Sequence, residues 1–182
     1  MGNGDNRVME ADDLDDCRLP RYSWDYEHLP EPDHWFLMAR AYLDCSYHLL
    51  EEMMRMRLDG SFHHSKVAVA TFEHAIELFL KGAIAQAGES VPTHHRSTAL
   101  LDIYRRLYPD LDFAFAGKID DAASESSETP RAQYARYPQD KHGRPWSGHT
   151  HINLSIWRHE LLPFKADFAR LVPLFKAKYP AN

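Results

Sequence analysis

Beyond its first 33 residues the chain repeats apolar positions at intervals of three and four, the spacing of amphipathic helices and not the alternation of strands. From His34, the residues Trp35, Met38, Tyr42, Cys45, Leu49, Met53 and Met56 form one such stripe, predicting a helix that ends near Gly60. A second helix is predicted from Ser65 to Ala87, with Val69, Phe72, Ile76, Phe79 and Ala83 facing inward and Gly88 just past its end. Thr93, after Pro92, is the expected N-cap of a third helix whose stripe is Leu100, Ile103, Tyr104 and Leu107 and which Pro109 stops. Trp157, Leu161, Phe164, Phe168, Leu171 and Phe175 mark a last helix, but Pro163 and Pro173 fall inside it and predict a kink or a break. The class is therefore all-α, with four principal helices.

At 182 residues the chain suits one well-buried core, and 44% hydrophobic residues supply enough apolar surface to fill it. Residues 1–33, with Pro20, Pro30 and Pro32 and little periodicity, read as an irregular arm. Residues 34–182 read as a single domain containing a polar linker at 110–130. No apolar run is long enough to cross a membrane and no secretory signal is evident, so a cytoplasmic location is expected. Cys17 and Cys45 lack metal or redox spacing and read as buried or inert thiols.

The formal net charge of −6 is unevenly distributed. The first 33 residues hold ten acids against three bases, whereas the chain from Pro130 onward holds nine bases against three acids. That basic last third, with His142, His149, His151 and His159, is a candidate footprint for phosphate; solvated charges on long helices are the alternative. The acidic arm could fold over this region and compete with phosphate.

One block carries a more specific signal. Residues 68–101, AVATFEHAIELFLKGAIAQAGESVPTHHRSTALL, join an apolar helix bearing Glu77 and Lys81 to a Gly stop and a Pro-Thr-His restart. This block resembles the HEPN family (higher eukaryotes and prokaryotes nucleotide-binding), in which a Glu-x-x-x-Lys helix precedes a Thr-His helix start. Arg136-Tyr137-Pro138 stands where many HEPN sequences carry Arg-Tyr-Pro before the last helix. The resemblance covers about residues 34–178 and implies an up-down bundle acting on RNA or nucleotides as a homodimer, in some members as a metal-independent ribonuclease of toxin or antiviral type. An antitoxin or a nucleotidyltransferase is the partner protein it implies.

In the ribonuclease version Arg136 stabilises the phosphorane's charge and His142 handles the proton of the ribose 2′-hydroxyl, which requires no metal or other cofactor. Lys141, Arg144, His149, His151 and Lys81 are the candidate RNA- or nucleotide-binding residues. Five residues separate Arg136 from His142, a spacing also met within one residue by pairs such as Arg57/His63 and Arg144/His149. Pro138 and Gly143-Arg144-Pro145 allow barely one helical turn between the two, unlike the family's catalytic pattern. Arg136 could equally serve a structural role, the Glu77–Lys81 pair reads as a helix-surface ion pair, and His94 could hydrogen-bond at a helix start. The alternatives to a ribonuclease are a non-catalytic nucleotide-binding module, a partner-binding module presenting Tyr22, Trp24, Tyr26, Trp35 and Trp146, and a metal site built from His63-His64, His94-His95 or His149 with His151.

Overall fold

The computed structural model describes residues 29–55, 62–114, 116, 142 and 154–180. Among these residues four helices are traced from end to end and no strand occurs: α1 (Glu31–Arg55), α2 (Phe62–Gln86), α3 (Ser97–Leu107) and α4 (Leu154–Lys178). The all-α class read from the periodicity is the one the chain adopts.

The middle of α2 explains the arrangement. The run Ala75 to Ile84 (AIELFLKGAI) is apolar on every side except at Glu77 and Lys81, and a helix apolar all round has to be surrounded. Every residue of that run is buried, and α1, α3 and α4 all pack against α2. Phe79 sits at the centre, its ring 4.3 Å from Phe168, 5.7 Å from Phe175, and about 6 Å from Phe36, Phe113 and Phe164 between centroids. Such tilted and edge-to-face contacts add to the apolar area that large rings remove from water.

Helix directions follow from the contacts. Along α1, Asp33, Asp44 and Glu51 meet Lys176, Lys165 and Arg158 of α4 in descending order, so the two helices are antiparallel. The same reversal relates α1 to α2, where Tyr42 meets His74 and the buried Ser46 hydroxyl donates to the Ala68 carbonyl at 2.7 Å. The exposed ion pairs register the alignment and contribute little to it energetically.

Apart from Met53, which is buried as expected, the inward stripe of α1 lies one residue later than expected. Phe36, Ala39, Leu43, Ser46, Leu50 and Met53 are buried, while Met38 and Cys45 are exposed and Trp35, Tyr42 and Leu49 flank the core. Gly82 of α2 makes room for the bulky Phe36 on this face: a Cβ added to Gly82 would lie 2.8 Å from two ring atoms of Phe36. Cys45 is therefore an exposed free thiol and not a buried one. The helix also begins at Glu31, three residues before the expected start, with Pro32 in the first turn where its missing N–H is no loss.

Gly82→Ala tests this packing. Alanine favours a helix over glycine by about 1 kcal/mol, but Phe36 is wedged beside Phe79 and Phe175 and has no room to swing away. The expected net result is a loss of about 1–2 kcal/mol in urea denaturation, and an unchanged or raised midpoint would show that the two helices are not in such close contact.

The other elements follow from their ends. Gly88 adopts φ +75°, Gly88 N–H donates to Ala85 and Glu89 N–H to Ile84, the paired bonds of a Schellman stop, so the predicted glycine terminates α2. Thr93 is not the cap of α3: that helix starts four residues later, with Arg96 in the N-cap position and no capping side chain. At the far end, Lys178 and Tyr179 both donate to the Leu107 carbonyl, which ties the C-terminus of α3 to that of α4. α4 buries the expected Leu161, Phe164, Phe168, Leu171 and Phe175, yet runs unbroken through Pro163 and Pro173. Both prolines and the residues whose carbonyls they leave without a donor, His159 and Ala169, lie on the exposed side, where water replaces the missing bonds.

Candidate functional site

Glu77 and Lys81 are one helical turn apart on α2, on a side that the neighbouring elements cover. The expectation of a surface pair is corrected: the residues are 3% and 5% exposed, because the apolar run that carries them is enclosed on all sides. Lys81 Nζ lies 2.9 Å from Glu77 Oε1, and the same oxygen lies 2.8 Å from Nδ1 of His95 in the segment between α2 and α3. The carboxylate is an acceptor only, so His95 donates through Nδ1. His74 Nδ1 stands 3.6 Å from Oε2, beyond hydrogen-bond length but close enough to favour a negative charge.

Burial by itself pushes the Glu77 carboxyl upward, but His74, Lys81 and His95 outweigh it and hold the group at about 2 instead of its ordinary 4.5. Glu77 is thus ionised at every physiological pH and fixes two things at once. It orients the Lys81 ammonium, and through the mostly exposed His95 it tethers the segment leading into α3. His94 helps that tether, since its Nδ1 accepts from the Arg96 backbone N–H at 3.3 Å, the helix-start role the sequence suggested.

Beside this network opens a cleft of about 410 Å³. Trp35 and Glu31 of α1, Lys81 of α2, and residues 89–93 form its walls. The Lys81 ammonium is 5.7 Å from the centre of the Trp35 ring, a cation–π distance, and the indole N–H points to Glu31 Oε1 at 3.5 Å. Glu89, which also lines the cleft, pairs with Arg106 of α3 at 3.2 Å. The site therefore combines a flat aromatic wall, one buried cation held by its own counter-ion, and two exposed carboxylates.

Of the residues singled out in the sequence, Lys81 lines this cleft, and His142 is an exposed residue at the surface. Arg136, Lys141, Arg144, His149 and His151 lie outside the described residues, as do Cys17, Tyr22, Trp24, Tyr26, Trp146 and the 117–130 part of the linker. Glu31, Trp35, Glu89 and His95 were not picked out for this site. The available signal was a charged pair inside an otherwise uninterrupted apolar run, which marks buried charges with partners elsewhere in the chain. Among the described residues no group of three or more His, Cys, Asp or Glu side chains is placed to hold a metal ion, and no helix is long and apolar enough to cross a membrane.

Compared with protein-family models, curated proteins and solved structures, the chain matches none.

Proposed function

We propose that this protein is a HEPN-like helical bundle that acts on RNA or nucleotides. One observation carries the reading. Residues from successive segments of the block that resembles the family converge on one place: Glu77 and Lys81 meet His95, and Lys81 with residues 89–93 walls a cleft of nucleoside size. A ligand there would meet a preformed site, since Glu77 already holds the Lys81 ammonium and His95 already anchors the adjoining segment.

The family resemblance supplies the rest of the proposal: a homodimer regulated by an antitoxin or joined to a nucleotidyltransferase. In its catalytic form Arg136 and His142 cleave RNA without metal, with Lys141, Arg144, His149 and His151 holding the strand. His142 is exposed, as a group that must meet a ribose has to be.

A single pair of measurements tests this reading. Purified protein is incubated with a mixed-sequence RNA in excess EDTA, and its melting temperature is followed with increasing mononucleotide or oligoribonucleotide. Binding is expected to raise the melting temperature with ligand concentration. Cleavage lost in both Arg136→Ala and His142→Ala establishes the ribonuclease form, and stabilisation without cleavage establishes the binding module. Neither effect, with folded protein, would remove the proposal.

A further inference from the structure

The chemistry of the cleft is more specific than a general affinity for nucleotides. The Lys81 ammonium inside it is matched by Glu77 and repels a cationic ligand, while Glu31 on the rim repels a phosphate and Glu89, its charge offset by Arg106, adds a second carboxylate acceptor. What fits between is neutral, flat and polar at one edge, with an acceptor for the ammonium next to donors for the carboxylates. Trp35 offers that ligand an aromatic wall to stack on.

Among the common bases, one edge meets this description. Guanine sets a carbonyl acceptor, O6, beside two donors, N1–H and the 2-amino group. Adenine and cytosine present an amino donor next to a ring acceptor, which faces a carboxylate unfavourably. Uracil has a single donor flanked by two carbonyls, so a carboxylate that meets the N–H also meets an acceptor. Lysine paired with guanine O6 is a recurrent recognition contact, and a carboxylate is the natural acceptor for guanine's two donors.

We infer that the cleft between α1 and the 89–93 segment is a guanine-base site, with Trp35 as the stacking wall, Lys81 donating to O6, and Glu31 and Glu89 accepting from N1–H and the 2-amino group. The inference rests on the RNA-or-nucleotide reading above and adds the identity of the base. The phosphate and ribose stay outside the cleft, away from the two carboxylates. Glu31 and Glu89 supply the specificity, and Glu77 is a positioning residue that acts through Lys81.

The test is titration calorimetry of the full chain with GMP, IMP, AMP, CMP and UMP. GMP is expected to bind at least about tenfold more tightly than AMP, CMP or UMP, within the discrimination a two-point base contact provides. IMP, which keeps O6 and N1–H but lacks the 2-amino group, is expected to fall between. Both glutamates are exposed, so the double variant Glu31→Ala/Glu89→Ala, which removes both acceptors, folds normally and is expected to erase the GMP-over-IMP difference. Trp35→Leu is expected to weaken all five ligands by a similar factor. Nucleotide binding with no base preference, or a GMP-over-IMP difference that survives the double variant, overturns the guanine assignment and leaves the broader reading in place. Binding of no nucleotide at all overturns both.

Discussion

Glu77→Ala is expected to destabilise the protein by about 3–5 kcal/mol, among the largest effects any single substitution in this chain will have. The reason is the charge it leaves behind. Lys81 is 5% exposed and, among the described residues, Glu77 is its ion-pair partner, so removing the carboxylate leaves an uncompensated ammonium inside the bundle. The loss is a large share of the 5–15 kcal/mol that holds a typical domain together. Adding Lys81→Met should recover much of it, because a buried pair replaced by apolar side chains is often close to neutral. Urea denaturation of the two variants decides the matter. A double variant no more stable than the single one would mean that the tether from Glu77 to His95, and not the stranded lysine, accounts for the loss.

The same group gives the stability a defined pH dependence. Glu77 has its carboxyl lowered from 4.5 to about 2 in the folded chain. A depressed folded-state value means that its contribution is complete above about pH 4.5 and is lost as the pH falls toward 2, for a total of about 3 kcal/mol. Wild type should therefore lose more stability than Glu77→Gln between pH 5 and pH 2. Parallel curves for the two proteins would show that the carboxylate is not held in the folded state as described.

How much of this was legible in the sequence depends on whether the signal was local. The stripe of α4, from Leu161 to Phe175, was readable because bulky apolar residues recur there with no competing register. In α1 two apolar stripes lie one residue apart, Trp35-Met38-Tyr42 and Phe36-Ala39-Leu43. Periodicity alone does not choose between them, whereas the space that Gly82 of α2 leaves for Phe36 and the bond from Ser46 to the Ala68 carbonyl favour the second. The prolines of α4 signalled a break because their position on the exposed side was not known until the other faces had been assigned. The site divides in the same way. Glu77 and Lys81 are neighbours on one helix and were seen as a pair, but their burial, the arrival of His95 and the wall formed by Trp35 all depend on packing between segments distant in the chain.

Phe79→Ala is the second large effect expected, a loss of about 3–5 kcal/mol from the cavity left among Phe36, Phe113, Phe164, Phe168 and Phe175. It stands two residues from Glu77 on the same helix, and its predicted loss at neutral pH is the same size, so the two variants would be indistinguishable in one denaturation curve. Their causes separate them when the pH is lowered. An apolar cavity does not titrate, so the deficit of Phe79→Ala relative to wild type should stay constant from pH 7 to pH 3. The deficit of Glu77→Ala should shrink over the lower part of that range, because below about pH 4.5 the unfolded wild-type chain takes up a proton at Glu77 that the folded chain does not, which favours unfolding of the wild type. If both deficits instead stayed constant, Glu77 would be acting through its bulk in the core and not through its charge. The preorganised Lys81 ammonium on which the proposed ligand site depends would then lose its physical basis.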